Sequence, residues 1–324
     1  MPVLTTPEQV LVRVLAVAPN PSDFKMVKYS PQATTKIAIG CDFCGIVEES
    51  RQEDKFPKGT RVAGAKFPYG TSTSGAFSDW LVADTRQLLR IPDAFDDLEG
   101  AAIGGICWGT CVVALFADAE GLCLPGSLTK PANKSYPVLV YGAVTATGTM
   151  ACQMLKLAGH TPIAVTSAAS ASLACTYGAV GSALYTSRTC VEDIRSFIPK
   201  GAVIRHALDC IINTESAAAC FAAIGRAGGR YACLESLQDE WRTRRAVYVK
   251  EVMGFEGFGF EVALGDSIYS RKANRELFLE GCFWTNEMQA SLDAGLIKPH
   301  PSWGWLRKVT GRIGPKEDIC IYLN

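Results

Sequence analysis

Apolar and polar residues alternate through VLVRVLAVAP and stop at NPSD, the pattern of a half-buried strand ending in a turn. CGIVEE, GTRVAGA and GAFSDWLVA repeat the pattern between glycines and prolines, so the first hundred residues predict strands and turns. FDDLEGAAIGGICWGTCVVALF then reads as one apolar helix with acids in its first turn. After the loop GLCLPGSLTKPANKSYP the rhythm changes. VLVYG, TPIAVTS, SALYT, IRHALDCI and GRYACLES predict strands, and TGTMACQMLKLAG, SASLACTYGA, TCVEDIRSFIP and TESAAACFAAIG predict the helices between them. That alternation predicts an α/β fold with a doubly wound parallel sheet. A last helix follows in NRELFLEGCFWTNEMQASLDAGL, and no internal repeat is visible.

Composition narrows the class. The 324 residues are 48% hydrophobic and 20% charged, and 32 basic residues balance 32 acidic ones. This suits a soluble enzyme, with neither nucleic acid nor membrane as a partner. The 13 cysteines show no disulfide framework, MPVLTTPEQVLVRV has no signal-peptide core, and the apolar runs are shorter than the ~20 residues that span a bilayer. A reduced, cytoplasmic protein is expected. Cys41 and Cys44 have C-x-x-C spacing without a second pair or a nearby histidine, which favours packing over zinc binding. His160, His206 and His300 stand apart from any nucleophile and receive no catalytic role.

The candidate chemistry begins at the turn after VLVYG. It is bounded by Gly142 and Gly148, but G-x-G-x-x-G is absent. Small residues still let a pyrophosphate approach the helix N-terminus, and Thr145, Thr147 and Thr149 bring hydroxyls. The next strand ends in AVTSAASAS, without the acid that binds an NAD ribose, so NADPH is the expected cofactor. Ser167 and Ser170 are candidate donors to its 2′-phosphate. Tyr185 and Arg188 are candidates to substitute for the missing local cation, the alternative being ordinary polar turn residues. Asp209 and Cys210, at a strand end, are expected to support the cofactor sheet.

A strand-rich first part, an inserted nucleotide domain and a short return resemble the medium-chain dehydrogenase/reductase superfamily. NPSDFKM, GAAIGGICWGTCVVALF, VLVYGAVTATGTMACQMLKLAG, ALDCIINTESAAACFAAIGRAGGRY and LDAGLIKPHP resemble the fungal trans-acting enoyl reductases. The resemblance implies a GroES-like catalytic domain at 1–116 and 275–324 and an NADP-binding Rossmann-type domain at 117–274. It implies a monomer that reduces carrier-bound acyl chains beside a polyketide synthase or hybrid megasynthase. By resemblance Ser22, Asp23 and Lys25 line the cofactor cleft, and Lys25 is the candidate catalytic group. Gly109, Thr110 and Cys111 border the substrate channel, and Phe258 and Gly259 help to wall it.

The same resemblance puts Asn20 and Cys41–Asp42 where zinc alcohol dehydrogenases carry ligands, and offers no structural-zinc lobe between Val62 and Gly75, so no metal is expected. The resemblance implies roughly thirty more residues in relatives before EQVLVRV, including a first strand pair. After Pro301 the family's helix is replaced, with DICIYL as a candidate last strand. Abbreviated ends predict NADPH binding with poor turnover. Two other readings stay open: a free-standing quinone or enone reductase, and a non-catalytic partner of the synthase.

Overall fold

The computed structural model describes residues 2–29, 39–67, 75–264 and 269–301. They fall into two compact units, one within Met1–Ile106, Ala263–Gly265 and Leu292–Asn324, the other within Cys107–Val262 and Asp266–Ser291. The expected candidate strand DICIYL lies outside the described residues, as does 68–74 of the stretch considered for a zinc lobe.

The first unit contains β1 (Gln9–Ala18), α1 (Pro21–Tyr29), β2 (Asp42–Ser50), β3 (Arg61–Ala65), β4 (Trp80–Asp84), β5 (Leu89–Arg90) and α2 (Asp97–Ile103). Its strands form one antiparallel sheet in the order β4-β1-β2-β3-β5. The alternation read in β1 puts Val10 and Val12 into a core with Phe43, Val47, Val62 and Leu81. NPSD, expected as a turn, instead starts α1. Pro21 has no N–H to lose at the first helical position. The Asn20 amide donates to Asp23 Oδ2 at 2.8 Å, and the Asp23 amide donates to the Asn20 carbonyl at 2.9 Å. Lys25 therefore sits on a helix.

The long apolar helix is broken. α2 opens with a reciprocal Asp96–Glu99 capping box and ends at Gly104, which adopts φ 45°. A Cβ at Gly104 would lie 2.5 Å from Asp42 Cγ, and Asp42 Oδ1 accepts from the amides of Gly105 at 2.7 Å and Ile106 at 2.9 Å. The chain turns at Gly104 because a buried carboxylate takes its next two amides. The helix resumes as α3 (Ile106–Cys111) and continues as a π-helical stretch, Val112–Ala117. Contrary to the expectation from apolar run lengths, Asp97–Ala117 is long and apolar enough to cross a bilayer. It is mostly buried inside the protein, as a core helix is.

The second unit adds β6 (Pro137–Tyr141), α4 (Ala146–Leu157), β7 (Thr161–Thr166), α5 (Ala171–Thr176), β8 (Ser182–Leu184), α6 (Cys190–Ser196), β9 (His206–Asp209), α7 (Thr214–Ala223), β10 (Gly229–Cys233), β11 (Val247–Glu251) and α8 (Arg275–Asp293). The sheet is parallel throughout, in the order β11-β10-β9-β6-β7-β8. Order reverses beside β6, the place where such sheets bind ligands off their C-terminal strand ends. The units divide differently from the expected division, and Ala263–Gly265 falls in the first unit. Residues 107–116 and most of α8 belong to the second unit, because Phe116 stacks on Trp284 at 4.4 Å and Glu287 accepts from the Thr129 amide and hydroxyl, each at 2.8 Å.

Candidate functional site

β6 delivers the chain to the glycine turn. Gly142 adopts φ 76°, and a Cβ there would lie 2.7 Å from Ile211 Cγ1. A Cβ at Gly148 would lie 2.2 Å from the Gly142 carbonyl oxygen, so α4 approaches the turn as closely as glycine allows. The middle glycine is replaced by an N-cap. Thr145 Oγ1 donates to the Gly142 carbonyl at 2.9 Å and accepts from the Gly148 amide at 3.0 Å. Thr149 Oγ1 donates back to the Ala146 carbonyl at 3.0 Å. Those two hydroxyl protons are committed within the turn. Thr147 is the threonine whose hydroxyl has no hydrogen-bond partner among the described residues. With the first-turn amides of Ala146 and Thr147 and the positive end of the α4 dipole, it presents a site for an anion.

The neighbouring strand ends add polar groups, and Asp193 in the first turn of α6 accepts from the Ser187 and Thr189 hydroxyls that flank Arg188, each at 3.2 Å. Ser167 Oγ donates to Ser170 Oγ at 3.1 Å just after β7. Tyr185, 53% exposed, and the exposed Arg188 follow β8, which pairs with β7 in parallel, so all four residues lie off the same sheet edge. Residues 121–191 contain no Asp or Glu. On the other side of the turn, Asp209 is fully buried at the end of β9. Its Oδ1 accepts from the amides of Ile211 at 2.9 Å and Ile212 at 3.0 Å, and its Oδ2 accepts from the Tyr231 hydroxyl at 2.9 Å. Ile212 is held at φ 57°, an outlier for a β-branched residue, and Ile211 is laid against Gly142. Sequence reading missed Ile211, because nothing in its composition marks it.

The expected substrate residues divide by role. Gly109 faces open space, since a Cβ there meets nothing within 4 Å. Thr110 is buried against Gly254, where a Cβ would lie 2.3 Å from Thr110 Oγ1. Cys111 is fully buried, and its S–H donates to the Thr147 carbonyl at 3.4 Å. Burial pushes that thiol's pKa far up, so Cys111 ties α3 to the first turn of α4. Phe258 stacks between Phe255 at 6.1 Å and Phe260 at 5.6 Å, in a row running from buried to 42% exposed. Gly259, at φ 77°, closes the turn Gly254–Phe258, and a Cβ on it would lie 2.4 Å from Phe278 Cβ. The structure thus brings Thr110 and the aromatic turn together.

In the first unit, Ser22, Asp23 and Lys25 share α1. Asp23 is buried and accepts the Cys41 S–H at 3.0 Å besides the Asn20 amide, so its carboxylate is committed to the local network. Asn20 Nδ2 donates to Asp42 Oδ2 at 2.8 Å. Of the positions compared with zinc ligands, Asn20 and Asp42 are thus bonded directly, and Cys41 is tied to Asn20 through Asp23. Burial pushes Asp42 up to about 7 and Cys41 well above the thiol range. Among the described residues no group of three or more His, Cys, Asp or Glu is arranged to hold a metal. Ser22 Oγ is buried without a hydrogen-bond partner among the described residues, and Lys25 is half-buried. His160 and His206 flank Tyr136 where β7 and β9 begin, at the sheet edge opposite the turn.

Residues 6–93 match the alcohol dehydrogenase GroES-like domain. The chain is 52% identical over 304 residues to trans-enoyl reductase sthE of Phaeosphaeria nodorum, covering 93% of this chain and 82% of that protein. It is 46% identical over 323 residues to trans-enoyl reductase calK of Penicillium decumbens, covering 96% and 84%. Its fold is similar to that of an alcohol dehydrogenase superfamily protein from Novosphingobium aromaticivorans, with TM-score 0.70 at 20% identity over 91% of this chain and 82% of the other. It is also similar to Escherichia coli quinone oxidoreductase complexed with NADPH, with TM-score 0.62 at 20% identity over 92% and 83%. Across both units, the chain belongs to the trans-enoyl reductases of the medium-chain dehydrogenase/reductase superfamily.

Proposed function

We propose that this protein reduces the α,β-double bond of an enoyl thioester carried by a polyketide synthase or hybrid megasynthase, using NADPH, as a monomer in the cytoplasm. The observation that carries the reading is 52% identity to a trans-enoyl reductase over nearly the whole chain. The residues present fit the dinucleotide. The Gly142–Gly148 approach leaves room for a pyrophosphate, and Thr147 and the first amides of α4 would hold it. Ser167, Ser170, Tyr185 and Arg188 would meet a 2′-phosphate, with no acid in the turn that ends β7.

When bound, NADPH supplies a hydride for the β-carbon of the thioester. The protein's part is to orient both partners and to stabilise the negative charge that develops on the thioester oxygen before a proton reaches the α-carbon. By resemblance to the family, Lys25 is the cation proposed for that role. The row Phe255, Phe258 and Phe260, beside Thr110 and the open face of Gly109, gives an extended acyl chain an apolar wall.

The test is titration and turnover with purified protein. NADPH should bind at least ~10-fold more tightly than NADH, about 1.4 kcal/mol. Enoyl thioester mimics should be reduced, and a rate of ~1 s⁻¹ or more would overturn the expectation of poor turnover. Reduction of quinones but not thioesters favours the free-standing reductase, and dinucleotide binding with no turnover favours a non-catalytic partner.

A further inference from the structure

Lys250, near the end of β11, is surrounded by carboxylates. Its Nζ lies 2.6 Å from Asp118 Oδ2, 3.4 Å from Glu256 Oε2 and 3.6 Å from Glu120 Oε2. Lys250 and Glu256 are each only 9% exposed, a burial that lysine and glutamate tolerate only when paired. Burial pulls the lysine's pKa down, but the hydrogen bond and charge of Asp118, together with Glu256, outweigh it and hold the ammonium above its ordinary range. Glu256 is shared: its Oε1 also accepts from Arg271 Nε at 3.0 Å and from the Met253 amide at 3.2 Å. Arg271 donates to the Glu251 carbonyl at 3.2 Å and bridges to Val262, just beyond Phe260.

Each of these groups belongs to a different segment. Asp118 directly follows the π-helical stretch Val112–Ala117, a distortion frequent at functional sites. Glu256 is the middle residue of Gly254–Phe258. One ammonium therefore joins the helix that carries Gly109 and Thr110 to the turn that carries Phe255 and Phe258. The two segments also touch directly, since Gly254 has no room for a Cβ beside Thr110. Stability alone does not call for this arrangement, because well-packed apolar residues commonly serve as well as a buried ion cluster. What the cluster adds is a fixed distance between two segments.

We propose that Lys250 is a positioning residue that sets the spacing between the Thr110 helix and the Phe255–Phe258–Phe260 row, and thereby the acyl chain length the enzyme accepts. The inference rests on the reading of that row as the acyl wall. Lys250 touches no reacting atom. It acts through Asp118 and Glu256. A fixed apolar slot separates substrates that differ by a methylene about 10-fold or more, and a loosened slot loses that separation.

The test compares the wild-type chain with Lys250→Met, Lys250→Arg and Asp118→Asn. Substrates are crotonyl, octenoyl and dodecenoyl N-acetylcysteamine thioesters with NADPH. In Lys250→Met the ratio of kcat/KM between the best and worst thioester should shrink by about 10-fold or more. Lys250→Arg, which keeps the charge, should restore the ratio, and NADPH affinity should change less than about twofold, within 0.4 kcal/mol. Titration with the saturated acyl thioesters, which needs no turnover, should show the same flattening in Kd. Amides of residues 254–260 should exchange hydrogen faster in Lys250→Met. If that variant does not fold, Asp118→Asn leaves the lysine two carboxylates and should show a smaller flattening in the same direction. An unchanged chain-length profile in a folded variant overturns the inference, while wild-type thioester reduction upholds the proposed function. A wild type that reduces no thioester overturns the proposed function instead, and the binding titration then decides the inference alone.

Discussion

Asn20 Nδ2 donates to Asp42 Oδ2 across 2.8 Å, while Asp42 Oδ1 holds the amides of Gly105 and Ile106. A single carboxylate thus fixes both the end of β1 and the break after α2. Burial, opposed by those three donors, raises its pKa from 3.8 to about 7. The native state therefore holds this proton more firmly than the unfolded chain does. The resulting stability is complete below pH 3.8 and is lost as pH rises through about 7. Asp42→Asn keeps an oxygen for the two amides and lets the Asn20 amide rotate to accept. Its thermal stability should lose less than that of the wild type between pH 4 and pH 7, by a few kcal/mol at about 1.4 kcal/mol per pKa unit. The wild-type-minus-variant difference isolates Asp42 from His206, whose pKa burial lowers to about 4 and which therefore destabilises the fold as pH falls from 6.5. Parallel pH–stability curves for the two proteins would refute the assignment.

Arg244 closes α7. Its Nη1 donates to the carbonyls of Phe221 at 2.8 Å and Ile224 at 2.6 Å, and its Nη2 donates to those of Gly225 at 2.6 Å and Arg226 at 3.1 Å. These include carbonyls that a helix end leaves without partners, and each charge-assisted bond is worth about 1.5–3 kcal/mol before desolvation. Arg244→Ala should cost ~2–4 kcal/mol in urea denaturation. Arg244→Lys should recover only part of it, because an ammonium cannot span four carbonyls as a planar fork does. Full recovery by lysine would show that charge near the helix end, not the fork, supplies the stability.

Most of the second unit was legible, because strands buried on both faces read as apolar runs and each helix between them has its own period. The strand β11 was not. VYVKE alternates, with Tyr248 75% exposed, but it follows the cationic run WRTRR, and without Arg244's four acceptors that run reads as a solvated loop. In the first unit the single-helix reading failed at Gly104 for a reason no local pattern carries. The acceptor for the next two amides comes from Asp42, more than sixty residues earlier. The candidate site was legible by residue type and not by role. Three threonines looked equivalent, and only coordinates show that Thr145 and Thr149 donate into their own turn while Thr147 does not.

Lys25 carries the prediction for chemistry. It lies half-buried on α1, one residue from the phenyl ring of Phe24 and two from the buried Asp23. A cation that stabilises charge in the transition state contributes to kcat, so Lys25→Ala should lower kcat/KM by roughly 10–1,000-fold. Asp23 and Asn20 already close the helix start, so the melting temperature should hold. Unchanged kinetics in the folded variant would reduce Lys25 to a structural side chain.

Thr145 and Thr147 separate stability from cofactor binding within three residues. Thr145 Oγ1 caps α4, donating to Gly142 and accepting from Gly148. Thr145→Ala removes the cap, at a cost of about 0.5–2 kcal/mol to folding. Its effect on NADPH should follow from the loosened turn alone. Thr147 takes no part in the cap, and its hydroxyl has no partner among the described residues. Its carbonyl, which accepts the Cys111 S–H, belongs to the backbone and survives substitution. Thr147→Ala should therefore leave thermal stability unchanged and weaken NADPH by about 10-fold, the worth of one charge-assisted hydrogen bond. Thr147→Ser keeps the hydroxyl and should bind as the wild type does. The double variant should show the sum of the two effects if the roles are independent, since each single change then leaves the other's partners in place. A Thr147→Ala protein that binds NADPH normally would mean that the phosphate is held by backbone amides alone. A Thr147→Ala protein that melts early would place this hydroxyl in the cap, with Thr145.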